Sequence, residues 1–143
     1  MSDKAQRNRE TILVAEDEQT VRELVGRLLS TQGYEVLAAA DGAEALRICR
    51  EHAETIDLLL TDMVMPGMSG PELAAQALVV RPSMKILYMS GYTEYAVVNQ
   101  GVLERVQAFI WKPFSNAALA EKVRRVLDGC VTADGDPQIP PPS

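Results

Sequence analysis

The chain has 143 residues, 47% of them hydrophobic and 24% charged, with a formal net charge of −6. That length suits one domain, and the apolar share is enough for a core that needs no disulfide or metal staple. The acidic balance argues against a nucleic-acid-binding face and against docking on an anionic membrane surface, both of which call for clustered Lys and Arg.

The opening MSDKAQRNRE is polar and lacks the apolar core of a secretory signal. No apolar run approaches the roughly 18 residues of a membrane span, so a cytoplasmic, reducing setting is expected. Cys49 and Cys130 match no metal or redox spacing, and Cys49 reads as core. Residues 1–9 read as a disordered arm, 10–130 as the folded domain and 131–143, rich in proline, as a flexible tail.

"TILVAED" (11–17) is an apolar run ending in acid, a buried strand. Val21, Leu24, Val25, Leu28 and Leu29 then recur at helical spacing, and Gly33 stands where a helix-ending residue belongs. "YEVLAAA" (34–40) reads as the second strand and Asp41-Gly42 as a turn. Ala45, Leu46 and Cys49 mark a second helix, ending near His52. "IDLLLT" (56–61) is the third strand. A loop over 62–70 follows, and Pro71 suits the first position of a third helix. "KILYMS" (85–90) is the fourth strand. A fourth helix is expected from about Thr93 to Gly101, "AFIWK" (108–112) as the fifth strand, and a fifth helix capped by Ser115. Five strand–helix repeats with continuous apolar strands predict an α/β fold: a parallel sheet covered on both faces.

The polar residues at the carboxyl ends of these strands carry the functional signal. Glu16 and Asp17 end the first, Asp62 the third, Ser90 the fourth and Lys112 the fifth. Open α/β sheets bind ligands at that edge. Taken singly, each has an ordinary explanation: Asp17 as a helix cap, Ser90-Gly91 as a turn, Lys112 as a solvated lysine. Together, five suitable residues at four strand ends would be a coincidence. Three convergent carboxylates repel one another, and a hard divalent cation such as Mg²⁺ relieves the conflict while leaving positions open for phosphate oxygens. Metal, ammonium, hydroxyl and a nucleophilic carboxylate suit phosphoryl transfer, with Asp62 able to form an aspartyl-phosphate.

"VAEDE", "LLLTDMVMPGMSG", "YMSGYT" and "FIWKPF" occur in this order, and with them residues 10 to 130 resemble the receiver domains of two-component response regulators. The resemblance implies a flavodoxin-like doubly wound sandwich, with a five-stranded parallel sheet in the order 2-1-3-4-5 and five helices. It implies Asp62 as phosphoacceptor, and Asp17, Glu16, Asp62 and the backbone carbonyl of Val64 around Mg²⁺. Ser90 and Lys112 would bind the phosphoryl group, Phe109 would be the switch aromatic, and the Lys112-Pro113 bond would be cis. The acidic pair is Glu-Asp rather than Asp-Asp, the hydroxyl is Ser rather than Thr, and Phe109 replaces Tyr at the switch position. The implied function is a phosphorylation-activated signalling switch rather than a classical enzyme. Its partners would be a histidine kinase or histidine phosphotransfer protein. Its output surface would be the fourth helix, fifth strand and fifth helix, where a homodimer would also form. "YMSGYT" and "KPF" are similar to receivers at the C-terminus of hybrid sensor kinases.

Two other classes compete. An aspartyl-phosphate phosphatase would carry Asp-x-Asp-x-Thr, but Met63 and Val64 follow Asp62, so the general acid is missing. A phosphorylation-independent interaction module would not need the intact Glu16, Asp17, Asp62 and Lys112.

Overall fold

A computed structural model describes residues 10–90 and 108–129. The strands are β1 (Thr11–Ala15), β2 (Glu35–Ala39), β3 (Leu58–Asp62), β4 (Lys85–Ser90) and β5 (Phe109–Trp111), and the helices are α1 (Gln19–Thr31), α2 (Gly42–Glu51), α3 (Gly70–Val80) and α4 (Asn116–Leu127). All four strand pairings are parallel, and the sheet runs β2-β1-β3-β4-β5, the expected order. The α4 helix is the fifth one expected from sequence. The expected fourth, the N-terminal arm and the tail lie outside the described residues.

The continuous apolar strands are explained by burial on both sides. Every residue of β1 and β3 is buried. Alternate side chains leave opposite faces. Ile12, Val14, Leu58, Leu60, Leu87 and Met89 pack beneath α1 and α4, with Val25, Leu29, Leu119 and Val123. On the other face, Leu13, Ala15 and Leu59 meet Ala45, Leu46 and Cys49 of α2 and Leu73 and Ala77 of α3.

Local chemistry starts and stops the helices. Asp41 caps α2 by accepting from the Glu44 N–H at 2.8 Å. Ser69 and Glu72 form a capping box at α3, so that helix begins at Gly70 and Pro71 stands inside its first turn. Ser115 caps α4, as expected. Gly33, at φ 99, turns the chain out of α1 into β2. One expectation changes. Leu24 is 57% exposed, so the buried stripe of α1 centres on Val25 and Leu29 instead. Within the loop that follows β3, Met63 and Met65 are buried but Val64 faces outward.

Two arginines bind distant segments. Arg81, at the end of α3, donates to the carbonyls of Cys49, His52 and Glu54 at 2.8, 2.6 and 2.9 Å, which closes the end of α2. Arg124 donates to Glu10 at 2.9 Å, to Asp128 at 2.8 Å and to the Tyr34 hydroxyl at 3.2 Å.

Candidate functional site

Because β1, β3, β4 and β5 are successive neighbours and all parallel, their carboxyl ends meet at one edge. Asp62 is the last residue of β3, in register with Met89, and the Met63 N–H donates to the Met89 carbonyl at 2.9 Å. The strand therefore holds the carboxylate rigidly. Glu16 follows β1, its N–H donating to the Ala39 carbonyl at 3.1 Å. Lys112 follows β5, its N–H donating to the Ser90 carbonyl at 2.9 Å.

Four of the expected residues come together. Carboxylate oxygens of Glu16, Asp17 and Asp62 lie within 4.8 Å of one another. Glu16 and Asp62 are each 1% exposed, whereas Asp17 faces solvent. The Lys112 ammonium donates to Asp62 Oδ1 at 2.6 Å and stands 3.5 Å from Glu16 Oε1. That longer contact is charge attraction only, since the buried Glu16 Oε1 receives no hydrogen bond among the described residues. The other oxygen, Glu16 Oε2, accepts from the Glu18 N–H at 2.9 Å. One ammonium thus faces two buried carboxylates. Burial first, and then the Glu16 carboxyl, push Asp62 up to about 8 against the lowering effect of Lys112.

This arrangement fits a hard divalent cation. Three carboxylates converge, and one buried oxygen among them lacks a hydrogen-bond donor. A cation there would satisfy that oxygen and favour the ionised form of Asp62. The reading of Asp17 as a helix cap is not supported. The N-cap residue of α1 is Glu18, whose own side chain makes no capping bond.

The remaining expected residues stand close by in the sheet. Ser90 is fully buried at the end of β4, in register with Trp111. The Lys112-Pro113 peptide bond is cis. Phe109 begins β5, half-buried against the cluster of Met63, Ala74 and Tyr88, with its ring edge-on to Trp111 at 5.0 Å. It lies in the strand leading to Lys112 and not among the carboxylates.

Two residues at the site carried no expectation. The Gly70 N–H donates to the Met63 carbonyl at 2.8 Å, and a Cβ on Gly70 would stand 2.2 Å from the Asp62 carbonyl oxygen. The glycine lets α3 start directly against the phosphoacceptor candidate. Its place eight residues past Asp62 gave no local sign of that approach. Arg22, in the first turn of α1, donates from Nη1 to the Glu16 carbonyl at 2.8 Å. Its place five residues past Asp17, on the helix that begins at the site, was the available clue.

The family model described as "Response regulator receiver domain" matches residues 12–124. Sensor kinase CckA of Brucella abortus is 38% identical over 118 residues, which are 82% of this chain and 12% of that protein. Response regulator receiver protein CpdR of the same organism is 34% identical over 116 residues, covering 81% of this chain and 95% of CpdR. The crystal structure of the receiver domain from hybrid histidine kinase CckA superposes with a TM-score of 0.68 at 40% identity, covering 82% of this chain and 98% of that one.

Proposed function

The chain belongs to the response regulator receiver domain family, and on that premise we propose that Asp62 accepts a phosphoryl group from a phosphohistidine. Receiver domains are signalling switches of two-component systems. The donor would be a histidine kinase or a histidine phosphotransfer protein. In the proposed step an Asp62 carboxylate oxygen attacks phosphorus, the phosphorus–nitrogen bond breaks with its electron pair going to the ring nitrogen, and the imidazole leaves neutral, keeping the proton that the phosphohistidine ring carries on its other nitrogen.

The observation that carries this reading is the Lys112–Asp62 contact of 2.6 Å set inside the three-carboxylate cluster. The ammonium marks the side of Asp62 where new anionic oxygens would be accepted, and catalysis of this kind is mostly positioning and charge neutralisation. Glu16, Asp17, Asp62 and the backbone carbonyl of Val64 would hold Mg²⁺. When bound, the ion supplies positive charge against the carboxylates and the phosphoryl oxygens. Ser90, buried beside Lys112 in the sheet, would donate its hydroxyl to the attached phosphoryl group. Phe109 would turn with it. The altered surface would be β5, α4 and the segment between β4 and β5, which is also where a homodimer would form.

The domain would work in the cytoplasm. Among the described residues no helix is long and apolar enough to cross a membrane. The chain spans 12% of CckA but nearly all of CpdR, so the match extends both to a receiver within a kinase and to a free-standing one. The higher identity favours the kinase context. The test is phosphoryl labelling from a phosphorylated histidine kinase with Mg²⁺ present. Label should appear on the wild type and vanish in Asp62→Asn and in EDTA. Unchanged labelling of Asp62→Asn would refute the assignment.

A further inference from the structure

The turn between β1 and α1 is Glu16-Asp17-Glu18, and the two of its carboxylates that meet Asp62 are held very differently. Glu16 is buried, and its Oε2 is tied to the Glu18 N–H. Asp17 is exposed, and Glu18, the N-cap residue of α1, makes no capping bond with its own side chain. What reaches this turn from the helix is Arg22, whose Nη1 donates to the Glu16 carbonyl at 2.8 Å. That carbonyl belongs to the same planar peptide unit as the Asp17 nitrogen. A donor bonded to the oxygen therefore fixes the plane from which Asp17 projects.

We infer that Arg22 is a positioning residue for the cation site: it holds the Glu16–Asp17 peptide plane so that Asp17 joins Glu16 and Asp62. This rests on the metal-site reading above. The guanidinium suits the task because it is planar and always charged, and its donors are fixed in a rigid fork. A charge-assisted bond to a carbonyl is stronger than a neutral one, which matters at a part-buried turn that water still reaches at Asp17.

The inference predicts an effect opposite in sign to simple electrostatics. Arg22 places a positive charge near a site that takes a cation. If it were only a surface charge, removing it would leave Mg²⁺ binding unchanged or strengthen it. If it positions Asp17, removing it weakens binding despite the lost repulsion. The experiment is calorimetric titration of Mg²⁺ into the wild type, Arg22→Ala, Arg22→Lys and Asp17→Asn, each with a melting curve in EDTA. Arg22→Ala should lose about tenfold in affinity, the usual scale for groups that orient metal ligands. Arg22→Lys, which keeps the charge and one donor, should fall between. Unchanged or tighter binding by Arg22→Ala, with Asp17→Asn weakened, overturns the inference and leaves the metal site standing. Asp17→Asn binding like the wild type overturns both. Should Arg22→Ala fail to fold, Arg22→Lys decides alone: wild-type affinity there overturns the inference, and weakened affinity supports it.

Discussion

Replacing Asp62 by Asn should stabilise the metal-free domain, and the gain should grow with pH. Asp62 is 1% exposed, and burial and Glu16 raise its carboxyl from the ordinary 3.8 to about 8. A carboxyl raised in the folded state favours folding fully below its unfolded value. That contribution is lost as pH rises through the interval up to the folded value. At pH 7 the folded protein retains a proton that the unfolded chain has released. The interval from 3.8 to 7 is about three units, and at about 1.36 kcal/mol per unit the cost reaches up to about 4 kcal/mol. Asn cannot release a proton, so Asp62→Asn escapes this cost. Urea unfolding in EDTA should show the two proteins nearly equal at pH 4, with the variant more stable by 2 to about 4 kcal/mol at pH 7. Excess Mg²⁺ should then stabilise the wild type much more than the variant. A variant equal to or weaker than wild type at pH 7 and 8 would show that Lys112 neutralises Asp62 in the folded state, and the reasoning would fail.

Gly70→Ala places a Cβ 2.2 Å from the Asp62 carbonyl oxygen, so backbone must move. It should cost about 1–3 kcal/mol, as overpacking does, and should weaken binding of a phosphate analogue such as beryllofluoride; an unchanged melting point and unchanged binding would contradict the geometry. Arg81→Ala removes three bonds to the carbonyls of Cys49, His52 and Glu54. A loss of about 2–4 kcal/mol in urea unfolding is expected, with Mg²⁺ affinity retained because Arg81 lies away from the carboxylates. A loss below 0.5 kcal/mol would show that water replaces these bonds at little cost (roughly the scale of a neutral surface change).

How much could be read from the sequence depended on whether the cause was local. The runs forming β1, β3 and β4 were readable because strands covered on both faces are apolar along most of their length. The caps at Asp41, Ser69 and Ser115 are local as well, and the Ser69-x-x-Glu72 signature stood open to reading. The exposure of Leu24 was not readable. It depends on how α1 is rotated over the sheet, and helical spacing alone admits a wider stripe than the one that is buried. The meeting of Asp62 with Lys112, 50 residues later, followed from placing both at strand ends. Arg22 and Arg81 act on backbone carbonyls. Nothing in the identity of Glu16, Cys49, His52 or Glu54 announces that its carbonyl will be a target.

The Arg124–Glu10 pair has a consequence for how such a domain is joined to others. Glu10 stands just before β1, and Arg124 and Asp128 stand at the far end of α4, which runs back along the sheet from β5. The pair therefore brings the start of β1 and the end of α4 together at the edge of the sheet opposite the carboxylates. The two points at which the described unit connects to the rest of a polypeptide thus lie on the side opposite Asp62. A unit wired in this way can be spliced beside other modules without redesigning its front.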